Sequence, residues 1–290
     1  MNMSAPSPLR LLSLLFREYC RSGSLPRCPE PDDIMHDTES VRAFHEQGES
    51  SLLPVYHFNA LATSRLLPEG GTVVDLGSGS GQYISYLAAC RPDARILGLD
   101  LSPAMVELGT EKMVRERLYP RVQLSIGDMT CFRDLVPDRV DVISSVFALH
   151  HLPDLASLER CFLEMEYVRR LYTGAVWIFD HARPKHPRTA EEFPKIFTPS
   201  AAASFQRDSR NSLLASFSFS EMSDALDGSF SPKVRHVLSR ILCLYQAHWV
   251  EGGSVEPRGV WKGEPLAPAA RENFRGLRRI MGGVPLHDVT

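Results

Sequence analysis

The chain has 290 residues, 43% hydrophobic and 23% charged, an ordinary globular composition at a length that can bury its own core. A formal net charge of −3 lacks the basic excess of a polyphosphate binder, so no nucleic-acid partner is expected. Its six cysteines form no C-x-x-C pair, which points to reduced thiols in a cytoplasmic protein and to no metal site.

Near the start, Leu9, Leu11, Leu12, Leu14, Leu15 and Phe16 make an apolar stretch that Arg10 interrupts and Arg17 and Glu18 close. That pattern predicts an amphipathic helix. It is too short and too charged for a membrane span, so no membrane partner is expected. A Pro- and Asp-rich loop is predicted from Ser22 to Glu39, then helix over 41–67 that Pro54 must break or start. Residues 1–70 are expected to form a helical cap or lid. From Gly71 short aliphatic runs alternate with longer helical patterns: Thr72–Leu76, Arg95–Asp100, Val122–Ile126, Val140–Val146 and Ala175–Asp180. Alternation of this kind predicts an α/β fold, a doubly wound and mostly parallel sheet with helices on both faces.

Ser102 before Pro103 predicts one capped helix start, and Asp154 another, with Leu155, Leu158, Phe162, Met165 and Val168 on one face. Residues 183–200 are rich in Pro and charge and read as loop with short helices, within a substrate-binding insertion of about 183–218. Helix is predicted over Ser220–Leu226, and closing strands over Val234–Leu238 and Leu242–Val250. The main domain is expected to span 71–250, and 251–290, with its basic stretch Arg271–Arg279, to be a tail or flap.

The strongest local signal is Val73-Val74-Asp75-Leu76-Gly77-Ser78-Gly79-Ser80-Gly81-Gln82-Tyr83, a strand, a glycine turn and a helix start. Glycine permits positive φ and lets a ligand lie against the backbone. Asp100 ends the next strand, about 20 residues beyond the glycines, where a carboxylate can accept hydrogen bonds from both hydroxyls of a ribose. A dinucleotide turn reads G-x-G-x-x-G, but here the third glycine arrives one residue early. Asp75 also sits two places before the first glycine, where it would repel a pyrophosphate and suit a ligand carrying an ammonium and a sulfonium. S-adenosylmethionine has both and no phosphate.

The segment resembles motif I of the class I S-adenosylmethionine-dependent methyltransferases, in their small-molecule branch, and the similarity runs over roughly Gly71 to Arg183. The resemblance implies that Asp75, Gly77, Gly79 and Gly81 surround the methionine part of S-adenosyl-L-methionine and that Asp100 holds its ribose. In Ile126-Gly127-Asp128-Met129 it places Asp128 at the exocyclic amine of the adenine, with Leu101 and Met129 on the two faces of the base. Val146-Phe147-Ala148-Leu149-His150-His151-Leu152 resembles the segment after the fourth strand, with Val146 on the cofactor side and Phe147 on the substrate side.

Methyl transfer from a sulfonium needs no activation of the leaving group, so positioning and exclusion of water do much of the work. A base is required only where the acceptor must lose a proton. His150, His151, Asp180 and His181 lie at strand ends where such chemistry occurs in open α/β sheets and are the candidates. Tyr56 and His57, on the helix before the first strand, are placed to approach the methyl donor. Arg183 and Arg207, with Lys185 and Arg210, are candidates for an anionic group on a small-molecule substrate. Other chemistry on the same fold stays open, either displacement within the cofactor with release of methylthioadenosine or methylation of a protein, as does a non-catalytic cofactor-binding role. The oligomeric state is not legible.

Overall fold

The structure is a computed structural model, described over residues 8–30, 52–199, 201–231, 233–253 and 259–287. The predicted loop beyond residue 30 and the predicted helix up to residue 51 lie outside the described residues. Seven strands form one sheet: β1 (Thr72–Leu76), β2 (Arg95–Asp100), β3 (Val122–Ile126), β4 (Val142–Val146), β5 (Ala175–His181), β6 (Arg235–Leu238) and β7 (Tyr245–Val250). Nine α-helices are present among the described residues: α1 (Pro8–Tyr19), α2 (Leu53–Leu66), α3 (Gln82–Cys90), α4 (Pro103–Arg115), α5 (Leu155–Tyr172), α6 (Pro187–Phe197), α7 (Ala203–Ala215), α8 (Phe219–Ser229) and α9 (Pro268–Ile280).

The strand order is β3-β2-β1-β4-β5-β7-β6. Strands β1 to β5 pair in parallel, β7 runs antiparallel to β5, and β6 antiparallel to β7. The order reverses between β1 and β4, so the crevice at their carboxyl ends is where a ligand of an open α/β sheet binds. The pleat sorts the core into two layers. Val73, Val142, Trp177 and Phe179 face a layer that includes α2, α3 and α9, while Val74, Ile143, Val176 and Ile178 face α5 and α8. All five residues of β1 and of β4 are buried, the polar Asp75, Ser144 and Ser145 included.

The helix before β1 is a core element. Twelve of the fourteen residues of α2 are buried, and the Trp177 indole N–H donates to Asn59 Oδ1 at 2.9 Å to tie α2 to β5. Pro54 opens α2 within its first turn, where its missing N–H costs nothing. The tail contributes α9, whose Leu277 is buried in the same layer with Phe274 and Ile280 against it.

Two further features adjoin the end of β5. The Pro-rich stretch expected as loop with short helices forms the 11-residue helix α6, with Pro187 in its first turn, His186 capping it and Pro194 inside. With α7 and α1 it builds a third cluster around Leu14, Phe193, Ile196, Leu213 and Leu244. The second is the strap formed by residues 21–30. Leu25 N–H donates to Pro184 O at 3.0 Å and Cys28 N–H to Leu214 O at 3.0 Å. The Arg27 guanidinium donates to the carbonyls of Ala215, Pro153, His150 and Leu152 and lies 4.1 Å above the centre of the Phe217 ring.

Candidate active site

The glycine turn joins β1 to α3 at the reversal point. Gly77, Gly79 and Gly81 all have positive φ (+69°, +52° and +76°), the left-handed region that side chains disfavour. Gly77 N–H and Ser78 N–H both donate to Leu99 O, at 2.8 and 3.0 Å, so the turn is pinned to the end of β2. A Cβ on Gly77 would collide with the Ala148 Cβ and stand 3.1 Å from the Met129 methyl. A Cβ on Gly79 would meet nothing within 4 Å. Gly77 is thus required by packing, whereas Gly79 borders open space.

Asp100 faces that space. Its Oδ2 accepts from Gly79 N–H at 2.7 Å and its Oδ1 from Ser102 N–H at 2.9 Å, so the carboxylate is oriented by the turn itself. Next to it Leu101 is 70% exposed, an apolar side chain on the rim. Asp128 forms a local turn, its Oδ1 accepting from Thr130 N–H and Oγ1 at 2.7 and 2.8 Å. Met129 is half-buried against Gly77. Val146 ends β4 and is buried.

Asp75 lies beneath the turn, buried, its Oδ1 accepting from Ser144 Oγ at 2.6 Å. Loss of solvation raises its pKa, the Ser144 hydrogen bond opposes the rise, and the charge of Asp100 adds to it, which leaves the group at about 8. The folded value exceeds the unfolded one, so the neutral acid favours folding. That stabilisation is full below about pH 4 and is lost progressively, at about 1.4 kcal/mol per pH unit, as pH rises towards 8. Asp75→Asn removes the titration. Thermal melting of both proteins without ligand from pH 6 to 9 should show the variant's advantage growing until about pH 8; parallel curves would refute the assignment.

Tyr56 reaches the turn indirectly, its hydroxyl donating to Gln82 Oε1 at 2.8 Å in the first turn of α3. His57 does not. Its Nδ1 meets the Tyr86 hydroxyl at 2.7 Å, and its ring packs edge-on to Trp261 and Phe274. Burial lowers its pKa to about 4.

The ends of β4 and β5 carry the other candidates. Phe147, which follows β4, has φ +54°, a strained backbone for an aromatic residue. Its N–H donates to Phe179 O at 2.8 Å, and its ring stacks on His181, with centroids 4.5 Å apart. Tyr245 stacks on His181 from β7 at 5.4 Å. Enclosed by these rings, His181 is driven by burial, with help from the His150 charge, to a pKa of about 4, and its Nδ1 has no hydrogen-bond partner.

Asp180 is buried and accepts from His150 Nδ1 at 2.7 Å, His150 N–H at 3.1 Å and His181 N–H at 2.7 Å. Burial alone would raise the pKa of Asp180 and lower that of His150, but their mutual attraction prevails and shifts each the other way. His151, half-exposed, meets Glu30 Oε2 at 2.8 Å through Nδ1. Glu30 also accepts from Ser212 Oγ at 2.7 Å. Burial pushes the Glu30 carboxyl up, and His151, His150 and Ser212 together bring it down to about 2.

The arginines divide. The Arg183 guanidinium is tied to Glu221 Oε1 at 2.8 Å and Ser216 O at 3.0 Å, with a buried Nε lacking a partner. Arg207 is exposed on α7. The structure therefore brings together Asp75, the glycines, Asp100, Leu101 and Met129 on one side and His150, Asp180, His181 and Phe147 on the other. Glu30, Ser144 and Tyr245 join them without having been singled out from sequence. A Ser two residues before the end of a strand has no signature of its own, and Glu30 is 120 positions from His150.

Residues 73–170 match the family described as "Methyltransferase domain". The chain is 36% identical over 97 residues to erythromycin 3''-O-methyltransferase of Saccharopolyspora erythraea, covering 33% of this chain and 31% of that protein. It is 40% identical over 86 residues to trans-aconitate 2-methyltransferase of Methylobacterium radiotolerans, covering 29% and 30%. The chain thus spans about a third of the length of these relatives. The fold matches a SAM-dependent methyltransferase from Aquifex aeolicus with a TM-score of 0.51 at 17% identity, over 73% of this chain and 97% of that one. Residues 73–170, in a sheet ordered 3-2-1-4-5-7-6 around a G-x-G-x-G turn, are similar to the methyltransferase domain family and share the fold of a SAM-dependent methyltransferase.

Proposed function

We propose that the chain transfers a methyl group from S-adenosylmethionine to a small-molecule acceptor by in-line displacement, with S-adenosylhomocysteine as the second product. The observation that carries this reading is the pairing of Gly79, open on its Cα side, with the Asp100 carboxylate that its own N–H orients. The residues fit the cofactor: a glycine that borders open space, a fixed carboxylate for two hydroxyls, an apolar rim at Leu101 and Met129, and a buried acid at Asp75. When bound, the cofactor supplies an electrophilic methyl on a sulfonium. Asp100 holds the ribose, Asp128 the adenine amine, and Leu101 and Met129 its two faces. Gly77, Gly79 and Gly81 allow close approach, and Asp75 with Val146 closes the methionine side.

On the acceptor side, Phe147, Phe179 and Tyr245 make an aromatic wall around His181, which excludes water and positions an apolar acceptor. Asp180 fixes the His150 ring so that its Nε2 is the free nitrogen. Erythromycin and trans-aconitate, named for the two relatives, are both small molecules, which supports that class of acceptor over a protein. We assign the catalytic fold to residues 71–250, a helical cap to 1–70 and a tail or flap to 251–290.

Gly79→Ala tests the reading. The added methyl meets no protein atom, so folding loses only the left-handed penalty of roughly 1–2 kcal/mol. Calorimetric affinity for S-adenosylmethionine should nevertheless fall at least tenfold. Undiminished affinity in the folded variant would overturn the placement. Chromatography of wild-type turnover should show S-adenosylhomocysteine, and methylthioadenosine in its place would overturn the reaction.

A further inference from the structure

The sequence shows no metal-ligand spacing, yet the fold gathers one carboxylate and two imidazoles at the carboxyl end of β4. Glu30, His150 and His151 each offer a ligand atom, and these atoms all lie within 4.8 Å of one another. We propose that Glu30, His150 and His151 form a binding site for a divalent transition-metal ion, held by one carboxylate oxygen and two imidazole nitrogens with at least one position left open.

Three features separate this cluster from a surface ion pair. The first is its donor set, two histidines and one carboxylate, which suits zinc and its first-row neighbours and leaves coordination incomplete. The second is that two of the three ligands are already oriented from behind. Asp180 holds His150 Nδ1 at 2.7 Å, which turns Nε2 into the ligating atom, and Ser212 Oγ holds Glu30 Oε1 at 2.7 Å, which leaves Oε2 to the metal. A carboxylate behind a ligating histidine fixes its tautomer and raises its basicity. The third is charge. Glu30 and Asp180 place two carboxylates beside the two imidazoles, and the nearby Arg27 guanidinium is turned onto four main-chain carbonyls and the Phe217 ring. The Glu30–His151 contact at 2.8 Å must open slightly and His150 move closer, an adjustment of about an ångström for ligands at about 2.0–2.2 Å from the ion. His151 is 36% exposed at its side chain, which gives the ion a route in.

The site is independent of the cofactor turn, so its test does not depend on the methyltransferase reading. The untagged full-length protein is titrated with Zn²⁺ by calorimetry, and with Co²⁺ while its visible spectrum is recorded. Exposed Cys28 lies two residues from Glu30, so Cys28→Ser is carried in parallel. Stoichiometric binding is expected, retained in Cys28→Ser, with d–d bands and no thiolate charge-transfer band. Glu30→Gln and His151→Gln should each weaken it at least tenfold. Thermal melting in chelator confirms that the variants fold, and the rise in melting temperature that Zn²⁺ gives the wild type should be absent from both. Failure of the folded wild type to bind stoichiometrically, a thiolate band, or unchanged affinity in both variants would overturn the proposal.

Discussion

Asp100→Ala is expected to weaken S-adenosylmethionine binding at least tenfold, about 1.4 kcal/mol, with most of the loss arising in the turn. The carboxylate serves two backbone donors at once, Gly79 N–H and Ser102 N–H. Truncation leaves both part-buried donors without their acceptor, which loosens the turn, and removes the group proposed to hold the ribose. Asp100→Asn separates shape from charge. Its single carbonyl can serve one of the two donors, while the amide opposes the other N–H, so its affinity should lie between wild type and Ala. Calorimetric titration of all three proteins checks the order. An Ala variant with wild-type affinity would remove Asp100 from the site.

Gly77→Ala should produce the largest loss of stability. The new Cβ overlaps Ala148 Cβ and crowds the Met129 methyl at 3.1 Å, on a backbone at φ +69°. The left-handed penalty of about 1–2 kcal/mol adds to overpacking of about 1–3 kcal/mol. At about 2–4 °C per kcal/mol for a chain of this size, the melting temperature should fall by roughly 10 °C. Ala148→Gly in the same chain removes the overlap and not the φ strain, so the double variant should recover part of the loss, with a coupling of about 1 kcal/mol or more. Strictly additive melting shifts would refute the contact. Gly79→Ala, two residues away, should show the reverse profile of near-normal stability with poor cofactor binding.

The contrast between these glycines marks where sequence ends as a guide. The boundaries of β1, β2 and β3 match the predicted runs residue for residue, because each run is bounded by glycine, proline or charge. The grouping of Asp75, the glycine turn and Asp100 was legible for a related reason: turn, acid and second acid lie within thirty positions along two adjacent strands. Helix α6 was legible only in part, as a short helix without bounds, because Pro184, Pro187 and Pro194 blur its limits, although Pro187 only starts it. Helix α9 was legible in principle. Phe274, Leu277 and Met281 recur at helical spacing, but the arginines between them drew the reading towards a basic tail. His57 shows the converse error. It neighbours Tyr56 in sequence, yet on a buried helix adjacent residues point about 100° apart, and it turns to Trp261 and Phe274 instead of the glycine turn. Glu30 could not have been joined to His150 and His151, since only the folded strap brings them together.

That strap fixes an order of events during synthesis. Arg27 leaves the ribosome early, but its carbonyl partners lie 123 to 188 positions further along the chain. Translation at about 5–20 residues per second keeps it waiting many seconds before the last of them exists. The strap, residues 21–30, therefore cannot take its place until those partners are made. It docks onto the segments that follow β4 and β5 and closes loops of 123 to 188 positions, so its ordering waits for chain that is made much later.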